Sequence, residues 1–376
     1  MIYLDQAATT KVCDEAKEAM EPFLRDLYGN PSSLYELGET AKEAVEESRR
    51  IIAKAIHCTP EHIFFTSGGT ESDNWVLEQA FLKGRPIFTS TIEHHAILNK
   101  CRQIQSRGGD VCYLPTDSKG VIQLKLLEEN IVSGTSLVSV MFANNEVGTM
   151  EPVEEIGNIA KKKHCEFHTD AVQAFCHVPI DVERMGIDYL SASGHKIHGP
   201  KGVGFLYVRN YQNFLPMIYG GEQEQGRRPG TENVPGIVGM GAAVKVQMKN
   251  LSEKIHREER LRNYLANRIL REIPGCTVNG SASRRLPGNL NLSIAGIEGA
   301  AMVTLMSDDE ICISAGSACA SGQAGPSHVL KALGQSDEQA YRAIRLTLDY
   351  TNTKEEIDRT VECLKRNVNR FRRGSR

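Results

Sequence analysis

One lysine, Lys196, stands between His195 and His198 in SASGHKIHGPKG (residues 191–202), a stretch rich in small residues and glycines. A buried amine sheds its proton and becomes a nucleophile, the requirement for a Schiff base. CEFHTD (165–170) closes on Asp170, and a carboxylate at the inner end of an apolar run is costly unless it meets a cation. Upstream, HIFFTS (62–67) runs into GGTESDN (68–74). Here glycines allow close backbone approach, Thr70 and Ser72 add hydroxyls, and a beginning helix offers free N–H groups to an anion. This cup lacks the lysine of a nucleotide P-loop. Anion cup, buried acid and amine are together the fittings for pyridoxal 5'-phosphate, with the acid holding the pyridine nitrogen protonated so that the ring acts as an electron sink.

The elements that must position these groups are legible as alternating apolar runs and amphipathic stretches. RPIFTST (85–91), SLVSVMFA (136–143), IDYLSAS (187–193) and VGFLYVR (203–209) join the two runs above as strands. ESDNWVLEQAFLKG (71–84) and PVEEIGNIAKKKH (152–164) between them have one apolar face at helical spacing. The alternation predicts an α/β domain with a mainly parallel sheet, whose ligands gather at the carboxyl ends of the strands. A long helical pattern from Val234 through Lys254 to Glu272 leaves this domain. After it, NLNLSI (289–294) and AIRLTLD (343–349) read as strands and KEEIDRTVECLKRNVNRF (354–371) as a closing amphipathic helix. The expected division is a large domain over residues 14–253 and a smaller α+β domain made of 1–13 and 254–376. The final RFRRGSR reads as a solvated, frayed tail.

With 376 residues the chain is long enough for two cores. Its net charge of -3, with both signs scattered, gives no basic face for nucleic acid or anionic lipid. No run approaches the roughly 20 apolar residues of a membrane span, and the opening MIYLDQAATTKVCDEA carries no signal core. The expectation is a cytoplasmic protein with neither nucleic acid nor membrane as partner. Ten cysteines spread from Cys13 to Cys363 without regular spacing or a C-x-x-C pair, so no disulfide framework or metal site is expected. Most should be reduced and buried, Cys319 excepted.

The order MIYLDQAATT, GNPSS, FFTSGGTESDN, EHHAIL, NNEVGT, HTDAVQ, SASGHKIHGPKGVG, RRPGTEN, AGSACASG, IRLTL resembles the IscS/NifS branch of the cysteine desulfurases, within the class V aminotransferases, over essentially the whole chain. The resemblance implies the type I fold of pyridoxal-phosphate enzymes, a seven-stranded-type sheet flanked by helices, and conversion of L-cysteine to L-alanine. It makes Lys196 the Schiff-base lysine and the proton carrier at the substrate's Cα, and Asp170 the partner of the pyridine nitrogen. Gln173 would meet the ring's phenolic oxygen, and His94 would stack on the ring and shuttle protons. Gly69, Thr70, Ser193 and His195 would hold the phosphate, joined by Thr231 from the other subunit of a homodimer. Asn145 would lie beside cofactor and carboxylate, and Arg345 would take the substrate's α-carboxylate with a planar guanidinium. His95 reads as structural, His328 as a helix-start residue in PSHVLKALG, and Lys201 as a turn residue.

Cys319 lies in SAGSACASGQAGP (314–326), which has no apolar face and predicts a mobile loop. The resemblance makes it the nucleophile that receives the sulfur as a persulfide and carries it to an acceptor, such as an iron–sulfur scaffold protein. The chain departs from the family pattern at GGEQEQG (220–226), with Glu222 and Gln225, and at TLDY (347–350), with Asp349 and Tyr350. These changes bear on loop packing or a partner surface more than on the reaction. The alternatives are a selenocysteine lyase, another pyridoxal-phosphate enzyme of the same fold, and a non-catalytic scaffold.

Overall fold

In the computed structural model, residues 1–315 and 325–374 are described. The chain opens with a short strand, β1 (Ile2–Tyr3), and two helices, α1 (Asp14–Arg25) and α2 (Glu36–Ala55). Alternation follows through β2 (Ile63–Thr66), α3 (Gly69–Leu82), β3 (Ile87–Ser90), α4 (His95–Ser106), β4 (Val111–Leu114), α5 (Leu124–Asn130), β5 (Leu137–Ser139), α6 (Val153–Lys162) and β6 (Glu166–Asp170). Next come β7 (Tyr189–Ser193) and β8 (Gly204–Val208). These strands form a seven-stranded sheet in the order β2-β8-β7-β6-β5-β3-β4, parallel except that β8 runs against both its neighbours. The carboxyl ends of β2, β3, β5, β6 and β7 therefore meet at one edge. Helices cover the sheet, so the central strands are buried on both faces and read as continuous apolar runs rather than alternating ones. The edge strand β4 is only half buried, and its sequence VCYL carries too weak a pattern to announce it.

The second half contains α7 (Val234–Met248), α8 (Leu251–Glu272), β9 (Cys276–Val278), β10 (Asn289–Ile294), α9 (Gly299–Asp308), β11 (Ile311–Cys312), β12 (Ser314–Ala315), α10 (His328–Ala332), α11 (Asp337–Tyr341), β13 (Ala343–Thr347) and α12 (Lys354–Gly374). An antiparallel sheet in the order β12-β13-β10-β9 packs its apolar face on α8, α9 and α12. The long helical pattern of the sequence is broken at Lys249 and Asn250, where Asn250 takes a left-handed φ of 57°. Before that break α7 packs on α1 and α2 and joins the core of the large sheet through Ile237, Met240 and Val244. After it α8 serves the other core through Leu265 and Ile269. The expected tail is helical as far as Gly374, because Arg372 donates to the Ala295 and Pro274 carbonyls. Of the nine described cysteines, all free, only Cys101, Cys165, Cys176 and Cys363 are buried, and the other five are half buried. No helix among the described residues is long and apolar enough to cross a membrane.

GGEQEQG has a packing role that its unusual residues only border. Glu224, with φ 49°, turns into the protein between α2 and β2. Its carboxylate accepts two bonds from the Arg49 guanidinium, at 2.7 and 2.8 Å, and one from the Phe65 amide at 2.8 Å. A buried ion pair contributes little against an apolar replacement, but removing one partner strands the other charge. E224A should therefore destabilise the protein by about 3 kcal/mol or more in urea denaturation, whereas E222A, at an exposed position, should stay within about 0.5 kcal/mol of wild type.

Candidate active site

The carboxyl edge of the large sheet holds a cavity of about 250 Å³. Nine of the expected site residues line it: Gly69, Thr70, His94, Asn145, Asp170, Gln173, Ser193, His195 and Lys196. Each is delivered by a strand end or the turn that follows it.

At one end, β2 gives way to α3 through Gly68, whose φ of 150° is a conformation that side chains rarely adopt. No side chain caps the first turn of α3, so its N–H groups and its dipole remain available to an anion. A Cβ on Gly69 would lie 2.4 Å from Val172 Cγ2, so one could enter only if that side chain shifted. Glu71 accepts from the Ser67 amide and from Arg228, at 2.8 Å each, which ties RRPGTEN to this turn and holds the Glu71 carboxyl below its ordinary range.

At the other end Asp170 is buried, and its Oδ1 accepts from the Val172 amide at 2.9 Å. Burial pushes its carboxyl up to about 6, against the pull of that amide and of Lys196. Between the two ends the Lys196 amine donates to the Ala7 and Ala8 carbonyls at 2.7 and 2.6 Å. Lys196 is half buried, not buried as the sequence suggested, because the N-terminal segment supplies these two acceptors. Gln173 Nε2 donates to the Ala7 carbonyl as well, at 3.0 Å.

His94 caps α4: its Nδ1 accepts from the Ala96 amide at 3.2 Å. Burial, with His95 and Lys196 nearby, pulls the ring down to about 4, so it is neutral and carries its proton on Nε2. It is thus fixed in orientation and a donor, not an acceptor, at its free nitrogen. His195 Nδ1 lies 3.2 Å from Thr9 Oγ1, and burial with Lys196 and Lys201 pulls it down to about 4.

Two expected residues lie elsewhere. Thr231 is exposed and lines a shallow recess with Ser67 and Arg228. Arg345 is behind the cavity wall, 2 % exposed, and donates to the Asn145 carbonyl at 2.9 Å and to Asp5 at 2.8 Å. A buried guanidinium needs such compensation, and this chain provides it from its own N-terminus. Cys319 lies outside the described residues. His95 and His328 meet edge to face, 4.8 Å apart, and His328 Nε2 donates to the Glu93 carbonyl. The sequence reading missed Asp73, which also lines the cavity, although its place four residues after Gly69 puts it on the same helical face.

These groups ask for one ligand with an anionic end, a ring nitrogen able to carry a proton, and a carbon within reach of an amine. Pyridoxal phosphate has all three, and the uncapped helix, the side-chain-free turn and the buried Asp170 fit it. Fold and site together define a pyridoxal-phosphate enzyme of fold type I. The chain belongs to the class-V aminotransferase family, whose description matches residues 2–360. Among curated relatives, the cysteine desulfurase IscS of Dictyoglomus turgidum is 43% identical over 375 residues, covering 99% of this chain and 95% of that one. Among solved structures, a NifS-like protein superposes with a TM-score of 0.92 at 39% identity, covering 98% of this chain and 99% of the other. A structure described as SspA in complex with cysteine gives 0.83 at 37% identity, covering 94% and 100%.

Binding a ring cation beside Asp170 favours its carboxylate, so cofactor uptake opposes protonation there. Retention of pyridoxal phosphate, followed by absorbance after dialysis, should decline as the pH falls through and below about 6. D170N should weaken retention on the order of tenfold or more, the loss of a charge-assisted hydrogen bond, and should lack this acid limb.

Proposed function

We propose that the protein is a pyridoxal-phosphate-dependent cysteine desulfurase that converts L-cysteine to L-alanine and takes the sulfur onto Cys319 as a persulfide. The observation that carries this reading is the convergence of the Lys196 amine, the Asp170 carboxyl and the uncapped start of α3 on one cavity. It is supported by relatives named as cysteine desulfurases over the full chain and by a structural neighbour described with cysteine.

When bound, pyridoxal phosphate would supply an electron sink for negative charge developing at the substrate's Cα. The α3 amides, Thr70, Ser193 and His195 would hold the phosphate, and Asp170 would anchor the ring nitrogen. The neutral imidazole of His94 and the carboxamide of Gln173 would hold the ring. Lys196 holds the cofactor and then moves a proton at Cα. Asn145 and Arg345 receive the α-carboxylate, which competes with Asp5 for the guanidinium. The Cys319 thiolate attacks the substrate sulfur: the carbon–sulfur bond breaks, a sulfur–sulfur bond forms, and one hydrogen moves from sulfur to carbon. No external reductant is required.

In this reading residues 14–253 form the cofactor-binding domain, and 1–13 with 254–376 form the domain that carries the cysteine. The protein works in the cytoplasm as a homodimer in which Thr231 of a second copy completes the phosphate site. The persulfide passes to an acceptor protein, such as an iron–sulfur scaffold.

Incubating the pyridoxal-phosphate-loaded protein with L-cysteine, without reductant, should add sulfur to Cys319, seen by intact mass and peptide mapping, with stoichiometric alanine. C319S should keep the cofactor's absorbance and lose sulfur transfer; alanine and sulfide formed by C319S at the wild-type rate would sink the assignment. R345K keeps the charge but loses the fork, and should raise KM for cysteine about tenfold with a smaller change in kcat.

A further inference from the structure

Asp73 is a carboxyl that the scheme above does not use, yet it lines the same cavity as Asp170 and Lys196. It sits one helical turn after Gly69 on α3 and is 1 % exposed. Its Oδ1 has no hydrogen-bond donor among the described residues. His168 Nε2, the nearest ring nitrogen, is 3.6 Å away, beyond hydrogen-bond reach. That ring is already engaged, with Nε2 3.0 Å from Ser191 Oγ and Nδ1 2.9 Å from Ser139 Oγ. A buried carboxylate oxygen left this way is expensive, whereas a proton on it removes the charge and turns an orphan acceptor into a donor.

The charges around Asp73 all point the same way. From β6, Asp170 disfavours a second negative charge, and Glu93, before α4, adds to the effect. Burial is the largest cause raising the Asp73 carboxyl, and only the Ser191 hydroxyl opposes it. His168, pulled down to about 3 by burial, is neutral and offers no countercharge. His94 is neutral too, and the Lys196 amine across the cavity acts on Asp170. Two carboxyls sharing one site do not both ionise.

We propose that Asp73 is a positioning residue: it stays protonated, serves as a neutral hydrogen-bond donor beside Asp170, and keeps the acidic end of the cavity at one negative charge, matched to one pyridinium nitrogen. This rests on the pyridoxal-phosphate reading of the cavity. Asp73 acts on the cofactor only through Asp170. An isosteric amide can replace it, because the carboxamide also donates and never ionises.

The test compares pyridoxal-phosphate-loaded wild type, D73N and D73A by infrared difference spectroscopy at neutral pH, by the rate of cofactor loss on dialysis, and by melting temperature. Wild type minus D73N should show the carbonyl stretch of one protonated carboxylic acid. D73N should melt with wild type and lose cofactor at a similar rate. D73A should lose it about tenfold faster, as expected for a missing hydrogen bond to a charged group. A flat difference spectrum, with the cofactor bound in both proteins, would overturn the protonated Asp73. Equal cofactor retention in D73A and wild type would overturn the positioning role. Failure of wild type itself to take up pyridoxal phosphate would instead overturn the reading of the cavity, and the positioning role with it.

Discussion

The Lys196 amine, held between the Ala7 and Ala8 carbonyls, is the contact around which both halves of the molecule are arranged. An amine in a half-buried turn needs acceptors, and the N–H groups of Lys196 find two in the backbone of the N-terminal segment. That segment supplies them by reaching back across the structure. It is itself fixed to the other core: Asp5 bridges to Thr347 on β13, and the Ala7 amide donates to Thr347 Oγ1 at 2.9 Å. Three residues on, Thr10 Oγ1 donates to the His195 carbonyl and accepts from the His198 amide. Residues 5–10 are therefore a strap that couples the small sheet to the lysine turn.

The same strap explains why Arg345 is not in the cavity wall. Asp5, in the strap itself, pairs with its guanidinium at 2.8 Å, the arginine buried and the aspartate half-buried. Around the site, buried acids and imidazoles hold hydrogen bonds to amides and hydroxyls, and burial favours their neutral forms. Burial pushes Glu93, Glu146 and Glu151 up to about 8, and it pulls His94 and His195 down to about 4. Glu93 precedes His94 and Glu146 follows Asn145, so the loops that present the site stand on carboxyls that are largely protonated at neutral pH. A ligand carrying its own charges then meets few fixed ones, which strengthens each contact it makes in this low-dielectric pocket.

What the sequence made legible follows from periodicity and from chemistry that needs particular residue types. Central strands, buried on both faces, read as apolar runs, and the polar residue ending each run is where the parallel sheet must gather its ligands. Lys196, Asp170 and the Gly68–Gly69 turn could be found that way. Edge strand β4, half exposed, left no such mark. Neither did the break between α7 and α8, because Lys249 and Asn250 interrupt no apolar stripe, and the helices are separated by extended backbone at Lys249 and a left-handed φ at Asn250. Asp73 and Glu224 escaped for a different reason. An acid in a helix or turn is most often solvated, and only the packing of distant elements shows that these two point inward.

TLDY shows how a local departure from a family pattern can be absorbed by packing. Asp349, buried, accepts from the Thr351 amide at 2.7 Å and from its hydroxyl, and faces His198 Nε2 at 3.2 Å. These partners hold its carboxyl below the ordinary range in spite of burial, which on its own would raise it. The sign of the linkage follows: a depressed carboxyl adds stability above its unfolded value, and that stability is lost as the pH falls through the folded one. The next residue, Tyr350, places its ring 4.3 Å from the Lys254 ammonium, while Lys254 donates to the Val246 carbonyl at the end of α7. His198 belongs to the lysine turn, Lys254 to α8 and Asp349 to the segment leaving β13. One short segment therefore joins the lysine turn, α8 and the small sheet, its acid through His198 and its aromatic ring through Lys254.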